Sequence, residues 1–474
     1  MKAAYDVLVV GSGPTGIMFA RLMAEKGFSV AVVDKATPEA LGARLSLFHI
    51  DEQKFSRYGI KPPQPGDPEY ANRFAAGLYR SAFDRYEKKS ECPNLLLRFA
   101  PFLKRLRTWA EAAGAEFFYQ TEFVDFLRSE DGKINGALLR GSQGEQALRA
   151  RLTADCSGIC SVARRRVSGQ TLDSSEITAR DMFYVSMHFV RLKAPGSFHI
   201  SAPVHYAQYK SWIGQTDEDG CFILGSASNL SYEYAELCHE RFRRAVPLPE
   251  MTELRVERGV TPYRQPPYSM VADGFLCIGD SACMTKPFSG EGVTSSWVGC
   301  EHAAKAAARA MANGACPSEA ALWGYNVSYA KTQGADFAYI SAVLANACDS
   351  AAEENDYMFA HDIVFSDSAL TRVNRHYNYD MPPREAAQLA GRLLAGVAAK
   401  KISLNSLKAM LRGMLCATAL RAHYRAYPKT PVGFARWKTK AERLWKKTGS
   451  IADAIVRTED DALRLAQKEH TQSA

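Results

Sequence analysis

The sequence contains no run of eighteen or more apolar residues, which leaves no candidate for a membrane-spanning helix. Its opening, MKAAYDVLVVGSG, lacks a small-residue cleavage site and passes straight into a strand and a turn, so no signal peptide is expected. None of the eleven cysteines falls in a CxxC spacing, and their number is odd. That argues against a disulfide framework and a metal site, and it fits a cytoplasmic chain whose thiols serve mostly as small buried apolar groups. There is no internal repeat and no second GxGxxG. Acidic residues are nearly missing from residues 400–447, where Glu442 stands against thirteen Lys or Arg, a local charge of +12 within a total of +8. The rest of the chain is therefore about −4 by subtraction, an asymmetry that points to one local anionic partner and not to a generally basic protein, and no nucleic-acid partner is expected.

What is present suffices for a folded enzyme. With 474 residues, 47% of them hydrophobic and 23% charged, the chain is expected to form two or three globular domains. Residues 6–10, 11–16, up to about 26, and 29–34 read as strand, glycine turn, helix and strand, one βαβ unit. In its turn, Gly11 permits the tight bend, Gly13 lets the backbone approach a pyrophosphate, and Gly16 allows close helix-to-strand packing, with Pro14 and Thr15 between them. The helix N-terminus offers free N–H groups to phosphates. Asp34, ending the second strand beside Lys35, is placed to accept hydrogen bonds from an adenosine ribose and disfavours a 2′-phosphate.

Pro62, Pro63, Pro65 and Pro68 mark a loop. Residues 97–114 have helical spacing and 115–126 read as a strand, followed by a strand pair that ends near residue 154. Residues 167–254 change to alternating segments rich in aromatics, expected to form an inserted antiparallel sheet. A strand at 275–278 and a helix over about 291–313 return to the nucleotide fold, and from Pro317 the pattern is mainly helical.

Three later segments separate one dinucleotide from another: Arg98 with Phe102 and Leu106, then Glu122-Phe123-Val124; Asp155-Cys156-Ser157-Gly158 through Ser161 and Arg164; and Gly279-Asp280-Ser281-Ala282 running on through Pro287, Gly290, Glu291, Gly292 and Val293. At these residues the chain resembles the geranylgeranyl reductase-like branch of the para-hydroxybenzoate-hydroxylase-fold flavoproteins. The second segment is similar to that branch's DASGxxSxxR with Cys156 for Ala, and the third to its GDAAGxxxPxxGEG with Ser281 for Ala and Cys283 for Gly. Tyr209-Lys210-Ser211-Trp212 with Gly220 and Gly225 is loosely similar to its YxWxFP segment. The resemblance covers roughly residues 1–313. It implies an α/β Rossmann-type FAD domain with an inserted antiparallel substrate sheet, and one FAD. The expected FAD domain comprises residues 1–70, 97–166 and 255–315, the substrate domain 71–96 and 167–254, and the helical C-terminal region 316–474.

Each segment has a physical role. Asp280, after a buried strand, is placed for a ribityl or pyrophosphate-side hydrogen bond, because an unpaired buried carboxylate would be costly. The turn from Pro287 to Gly292 opens a helix whose dipole favours an anionic reduced flavin by about 0.3–1 kcal/mol, up to ~2 when partly buried. Arg98, Arg44 and Val124 are further cofactor-side candidates, Arg44 because related monooxygenases place an Arg over FAD in that region, Arg98 and Val124 because they belong to the first of these segments. Tyr206, Tyr209, Trp212, Phe183 and Tyr184 either line an apolar substrate pocket or pack the inserted sheet.

The branch's reductases carry a Cys in a PxxCG-like turn, whereas residues 42–49 contain none. His49 is the candidate proton donor, a structural histidine being the alternative. Trp212 and Tyr209 are the other catalytic candidates. The expected reaction is reduction of a carbon–carbon double bond in an apolar, prenyl-like or polyketide-like substrate, with NAD(P)H as a transient reductant. Rival readings are a flavin monooxygenase, which would carry a DGxxSxxR-type second motif where this chain has the longer DxSGxxSxxR spacing, a halogenase, for which neither a WxWxIP segment nor a GWGxxT turn occurs, and a non-catalytic electron-relay protein. Residues 400–447, with Trp437, Trp445 and the helically spaced Leu407, Met410, Leu411 and Met414, form either a basic amphipathic surface for an anionic membrane or acidic carrier, or a stripe packed on the core.

Overall fold

Residues 7–10 and 30–33 are continuous runs of Val, Leu and Ala that lie wholly buried, the pattern of parallel strands covered on both faces. In the computed structural model, which describes residues 2, 4–168, 171–287, 289–347, 351–376 and 380–448, they are the centre of an eight-stranded sheet. Its parallel strands lie in the order Phe275–Cys277, Gly144–Asp155, Ala4–Val10, Val30–Val33, Ala115–Phe118. Counted along the chain this is 3-2-1-4-5 from one edge, the dinucleotide-binding order. Helices Pro14–Ala24, Phe99–Ala112 and Val293–Ala310 share its core through Ile17, Phe19, Phe102, Leu106 and Trp297. The order reverses between Ala4–Val10 and Gly144–Asp155, and a crevice opens beyond their carboxyl ends.

A seven-stranded sheet is inserted into this unit, with a second core around Phe189, Tyr206, Ile213, Phe222 and Phe242. It takes in Gly77–Arg80 and Glu87–Ser90 at one edge. At the other edge is Met251–Pro262, paired along its length with Met182–Leu192. The inserted sheet therefore runs past residue 254, where the sequence reading ended it. The charged side chains of residues 253–258 lie exposed or half-exposed, so this edge strand lacks an apolar signature. A three-stranded sheet of Leu47–Asp51, Asn94–Arg98 and Tyr70–Phe74 joins the two units.

From Glu319 onward every described element is helical, and no described helix is long and apolar enough to cross a membrane. Residues 348–350, 377–379 and 449–474 of the expected helical region lie outside the described residues, as does Phe288 of the glycine turn. Trp437 and Trp445, expected either in an amphipathic surface or in a stripe packed on the core, point inward: Trp437 Nε1 donates to His423 O at 3.0 Å and Trp445 Nε1 to the Tyr424 hydroxyl at 3.1 Å.

Candidate functional site

A cleft of about 380 Å³ occupies the crevice where the strand order reverses. Gly11, Gly13, Pro14, Thr15, Asp34, Asp280, Gly292 and Val293 line it, drawn from two stretches separated by more than two hundred residues. The three motif glycines differ in what a side chain would meet. Gly11 sits at φ +101°, and a Cβ there would lie 2.5 Å from Cys156 O; a Cβ on Gly16 would lie 1.9 Å from Gly11 O. These two are required by the protein's own backbone. A Cβ on Gly13 would meet nothing within 4 Å. Its bareness keeps open a space in the cleft, and that is the cradle a pyrophosphate needs.

Two helices, Pro14–Ala24 and Val293–Ala310, start at this cleft from Gly13 and Gly292, neither with a side-chain cap. Their first N–H groups and positive dipole ends thus remain available to an anion. Trp297 Nε1 donates to Pro14 O at 3.2 Å and holds the two helices together.

The three motif carboxylates divide by partner. Asp155 is fully buried and accepts from Ser157 N and Oγ, Ala163 N and Arg164 N at 2.6–3.1 Å, so it folds its own loop. Asp34 accepts from Ser12 N at 2.7 Å, Ser12 Oγ at 2.9 Å and Ala36 N at 2.9 Å, and still borders the cleft. Asp280 accepts one side-chain bond, from Thr285 Oγ1 at 3.2 Å. Burial pushes its carboxyl up to about 6, and its remaining acceptor capacity faces the cleft. Gly279, at φ +78°, brings the turn against Thr15, and Ser281 donates to Asp155 O at 2.7 Å, tying the two motif turns together. Cys283, in place of a motif glycine, keeps the left-handed φ of 49° that a glycine would favour.

Other expected cofactor residues lie elsewhere. Gly16 and Gly279 shape the turns from behind. Lys35 and Arg44 are exposed and do not line the cleft. The Arg98 guanidinium is drawn away to Asp217 and to the carbonyls of Pro68 and Tyr70. Val124 stands on the strand Glu122–Arg128, outside the lining; Thr121 is the residue here that reaches Asp34, its N–H donating to Asp34 O at 2.8 Å. Pro287 accepts from the Tyr263 hydroxyl at 2.8 Å, and Gly290 turns the chain at φ +73° before Gly292. Leu41, Phe99, Cys156, Ser157, Thr261 and Ser296 line the cleft without having been singled out as contacts.

Next to this turn a polar cluster is assembled from separate elements. His49 Nδ1 lies 3.2 Å from Asn94 Oδ1, while its buried Nε2 has no hydrogen-bond partner among the described residues and faces Gly214, where a Cβ would lie 3.3 Å away. Burial lowers its pKa, opposed by Asn94 and by the charge of Glu291. His205 stacks on Tyr79 at 4.9 Å and is lowered to about 4 by burial and by His49. Asn374 donates to the Tyr79 hydroxyl at 3.1 Å and to Ser90 Oγ at 3.0 Å, and accepts from the buried Lys286 Nζ at 3.0 Å. Lys286 lies 3.6 Å from Glu291, one residue before Gly292. Tyr79, His205, Lys286 and Asn374 have no spacing relation in the sequence, and only Lys286 and Glu291 fall within a recognised motif.

Trp212 and Tyr209, the other catalytic candidates, hold the inserted sheet. The Trp212 indole lies across its cross-strand partner Gly225, where a Cβ would come within 2.0 Å of the ring. Tyr209 donates to Ala82 O at 2.7 Å in the interior. A larger hollow of about 500 Å³ between Glu87–Ser90 and Asp367–His376 is lined by charges that pair among neighbours, Lys89 with Glu91 and Arg372 with Glu385.

A family described as FAD binding domain matches residues 4–303. Similar proteins include the digeranylgeranylglycerophospholipid reductase of Sulfolobus acidocaldarius, 21% identical over 450 residues that cover 93% of this chain and 97% of that one. The enzyme of the same name from Methanospirillum hungatei is 27% identical over 304 residues, 62% of this chain and 73% of that one. Among solved structures, a geranylgeranyl bacteriochlorophyll reductase-like protein from Thermoplasma acidophilum superposes with a TM-score of 0.62 at 16% identity, over 84% of this chain and 99% of that one. A flavin-dependent brominase reaches 0.57 at 18% identity, over 82% and 94%.

Proposed function

The chain belongs to the FAD binding domain family and is an FAD-dependent oxidoreductase, and from that premise we propose that it reduces a carbon–carbon double bond in a largely apolar, prenyl-like substrate. The observation that carries this reading is the span of the similarity to the Sulfolobus reductase, whose 450 aligned residues continue beyond the cofactor half into the inserted sheet and the C-terminal helices.

The cleft fits FAD on its own geometry, since Gly13 leaves a cradle that a Cβ would fill and Asp280 presents a largely unpartnered carboxylate. In this proposal Gly13, Pro14 and Thr15 at the first helix start hold the pyrophosphate, the Asp34 edge holds the adenosine ribose, Asp280 takes a hydroxyl of the ribityl side, and the N–H groups from Gly292 and Val293 face the flavin ring. FAD bound there would supply the hydride equivalent. NAD(P)H is proposed as a transient reductant, without a second dinucleotide motif of its own.

Reducing an alkene by hydride also requires one proton, and His49 is the proposed group to handle it. In the neutral ring, Nδ1–H donating to Asn94 Oδ1 leaves Nε2 as the basic nitrogen; a proton taken up there makes His49 a donor, favoured by the charge of Glu291. Cytoplasmic residence with peripheral contact to an anionic membrane belongs to the same proposal.

The test is anaerobic: reduced holoprotein is mixed with a geranylgeranyl-chain lipid and the product weighed. Gain of two hydrogens per double bond supports the reading; no gain, with substrate-triggered oxygen uptake and an oxygen atom in the product when the mixture is repeated in air, replaces it by oxygenation. His49→Gln should keep FAD and lose turnover by roughly 100-fold or more. Unchanged turnover would leave His49 a structural residue.

A further inference from the structure

Helix Leu404–Arg425 turns Gly413, Ala417, Leu420 and Tyr424 into the protein. Its outer face leaves Leu404, Leu411 and Leu415 at 60%, 48% and 73% exposure. At 3.6 residues per turn these three fall within about 40° of one another. Lys408 lies on the same face, Arg412 flanks it, and the helix contains no acidic residue. Arg412 donates to Lys447 O at 2.6 Å, which joins the leucine stripe to helix Phe434–Thr448. That second helix buries Trp437, Ala441 and Trp445 and exposes Arg436, Lys440, Arg443 and Lys447 on its outer side. The basic residues of this region are thus divided by the fold into a leucine-bearing face and a cationic face that meet.

We propose that this joined surface docks on an anionic lipid bilayer, with Leu404, Leu411 and Leu415 entering the headgroup–acyl boundary and the Lys and Arg heads meeting lipid phosphates. It deepens the peripheral contact proposed above, yet stands on the exposed stripe and not on the redox reading. Leucines beside long-stemmed cations suit a bilayer interface, because the stems cover apolar surface while the charges remain with the headgroups. A second copy of the chain is disfavoured, since a two-fold pairing of this face would set its cations against one another.

Flotation of the FAD-loaded full chain with vesicles decides it. Vesicles of phosphatidylcholine with phosphatidylglycerol should capture the protein, and vesicles of phosphatidylcholine alone should capture at least tenfold less. Leu411→Gln with Leu415→Gln, checked for native circular dichroism and bound flavin, should weaken capture at least tenfold in low and moderate salt. Lys408→Gln with Lys440→Gln, which leaves the leucines in place, should weaken capture mainly at low salt and flatten its salt dependence. Capture by neither vesicle, equal capture by both, or capture indifferent to both pairs of substitutions overturns the proposal. So does binding that appears only after removal of residues 449–474, or light scattering that shows a dimer lost in the leucine variant. Failure here leaves alkene reduction standing, and failure of alkene reduction leaves vesicle capture standing.

Discussion

Asp155 ends a strand paired in parallel with Phe275–Cys277, and Asp280 lies in the turn that follows this neighbour, yet their surroundings are opposite. Asp155 is closed off by four donors from its own loop, whereas Asp280 has one hydroxyl and an open cleft. The first carboxylate builds the site and the second is the one proposed to meet FAD. A motif acid reads the same in both cases; the difference lies in how many donors the chain itself supplies.

The largest effect should come from breaking the builder. Asp155→Ala leaves Ser157 N and Oγ, Ala163 N and Arg164 N without their acceptor inside the core, and at about 1 kcal/mol per lost bond the expected destabilisation is about 3–5 kcal/mol. Urea denaturation of the apoprotein measures it, and little soluble yellow protein should be recovered.

Asp280→Asn should act with the opposite sign on the empty protein. Its carboxyl is raised to about 6 when folded, against ~3.9 in an unfolded chain, so the folded state holds the proton more tightly. The stability this confers is present below pH ~4 and lost as pH rises through 6. The apoprotein variant should therefore be more stable than the wild type above pH 6, by on the order of 1–3 kcal/mol, reduced where cleft water screens the charge. FAD should bind it about 10–100-fold more weakly, the cost of a hydrogen bond to a charged group. A hydroxyl donates more strongly to the ionised carboxylate than to the neutral acid, so wild-type FAD affinity should rise between pH 4 and 6 and the variant's should not. Fluorescence-quenching titrations across that range read both outcomes.

The same division explains what could be read from the sequence. Gly11, Gly16 and Gly292 sit at turns and helix starts inside short motifs, and short motifs leave spacing signals. Arg98 was placed at the correct helix start, but the direction of its guanidinium is set by Asp217, which arrives from the inserted sheet. Trp437 and Trp445 marked one face of a helix as apolar without saying which way that face turns. Met251–Pro262 hid as a strand because its partner, not its own pattern, makes it one. His49 carries the chemistry expected of a proton donor, whereas His205, Tyr79 and Asn374 of the neighbouring cluster come together only through tertiary folding and carry no motif.

A narrower break of the comparison is Gly13→Ala. Its Cβ points into open cleft, so the apoprotein should unfold within about 1 kcal/mol of the wild type, while FAD affinity drops roughly tenfold or more as the cradle fills. Gly16→Ala, whose Cβ meets Gly11 O, should instead damage the apoprotein itself. Paired denaturation and FAD titration separate the glycine kept for a ligand from the one kept for the fold.

The smallest effect should be at Tyr209, where the inserted sheet supplies its own builder. The phenol donates to Ala82 O in the interior, and Tyr209→Phe removes that donor while preserving the ring against Phe242. Stability should fall by about 1 kcal/mol, because one buried carbonyl loses its partner. Steady-state kcat and KM should stay within about twofold, since the hydroxyl is already committed inside the protein. A large loss of kcat with unchanged stability would move Tyr209 from the builders to the groups that meet substrate, and would mean that Ala82 releases it when substrate arrives.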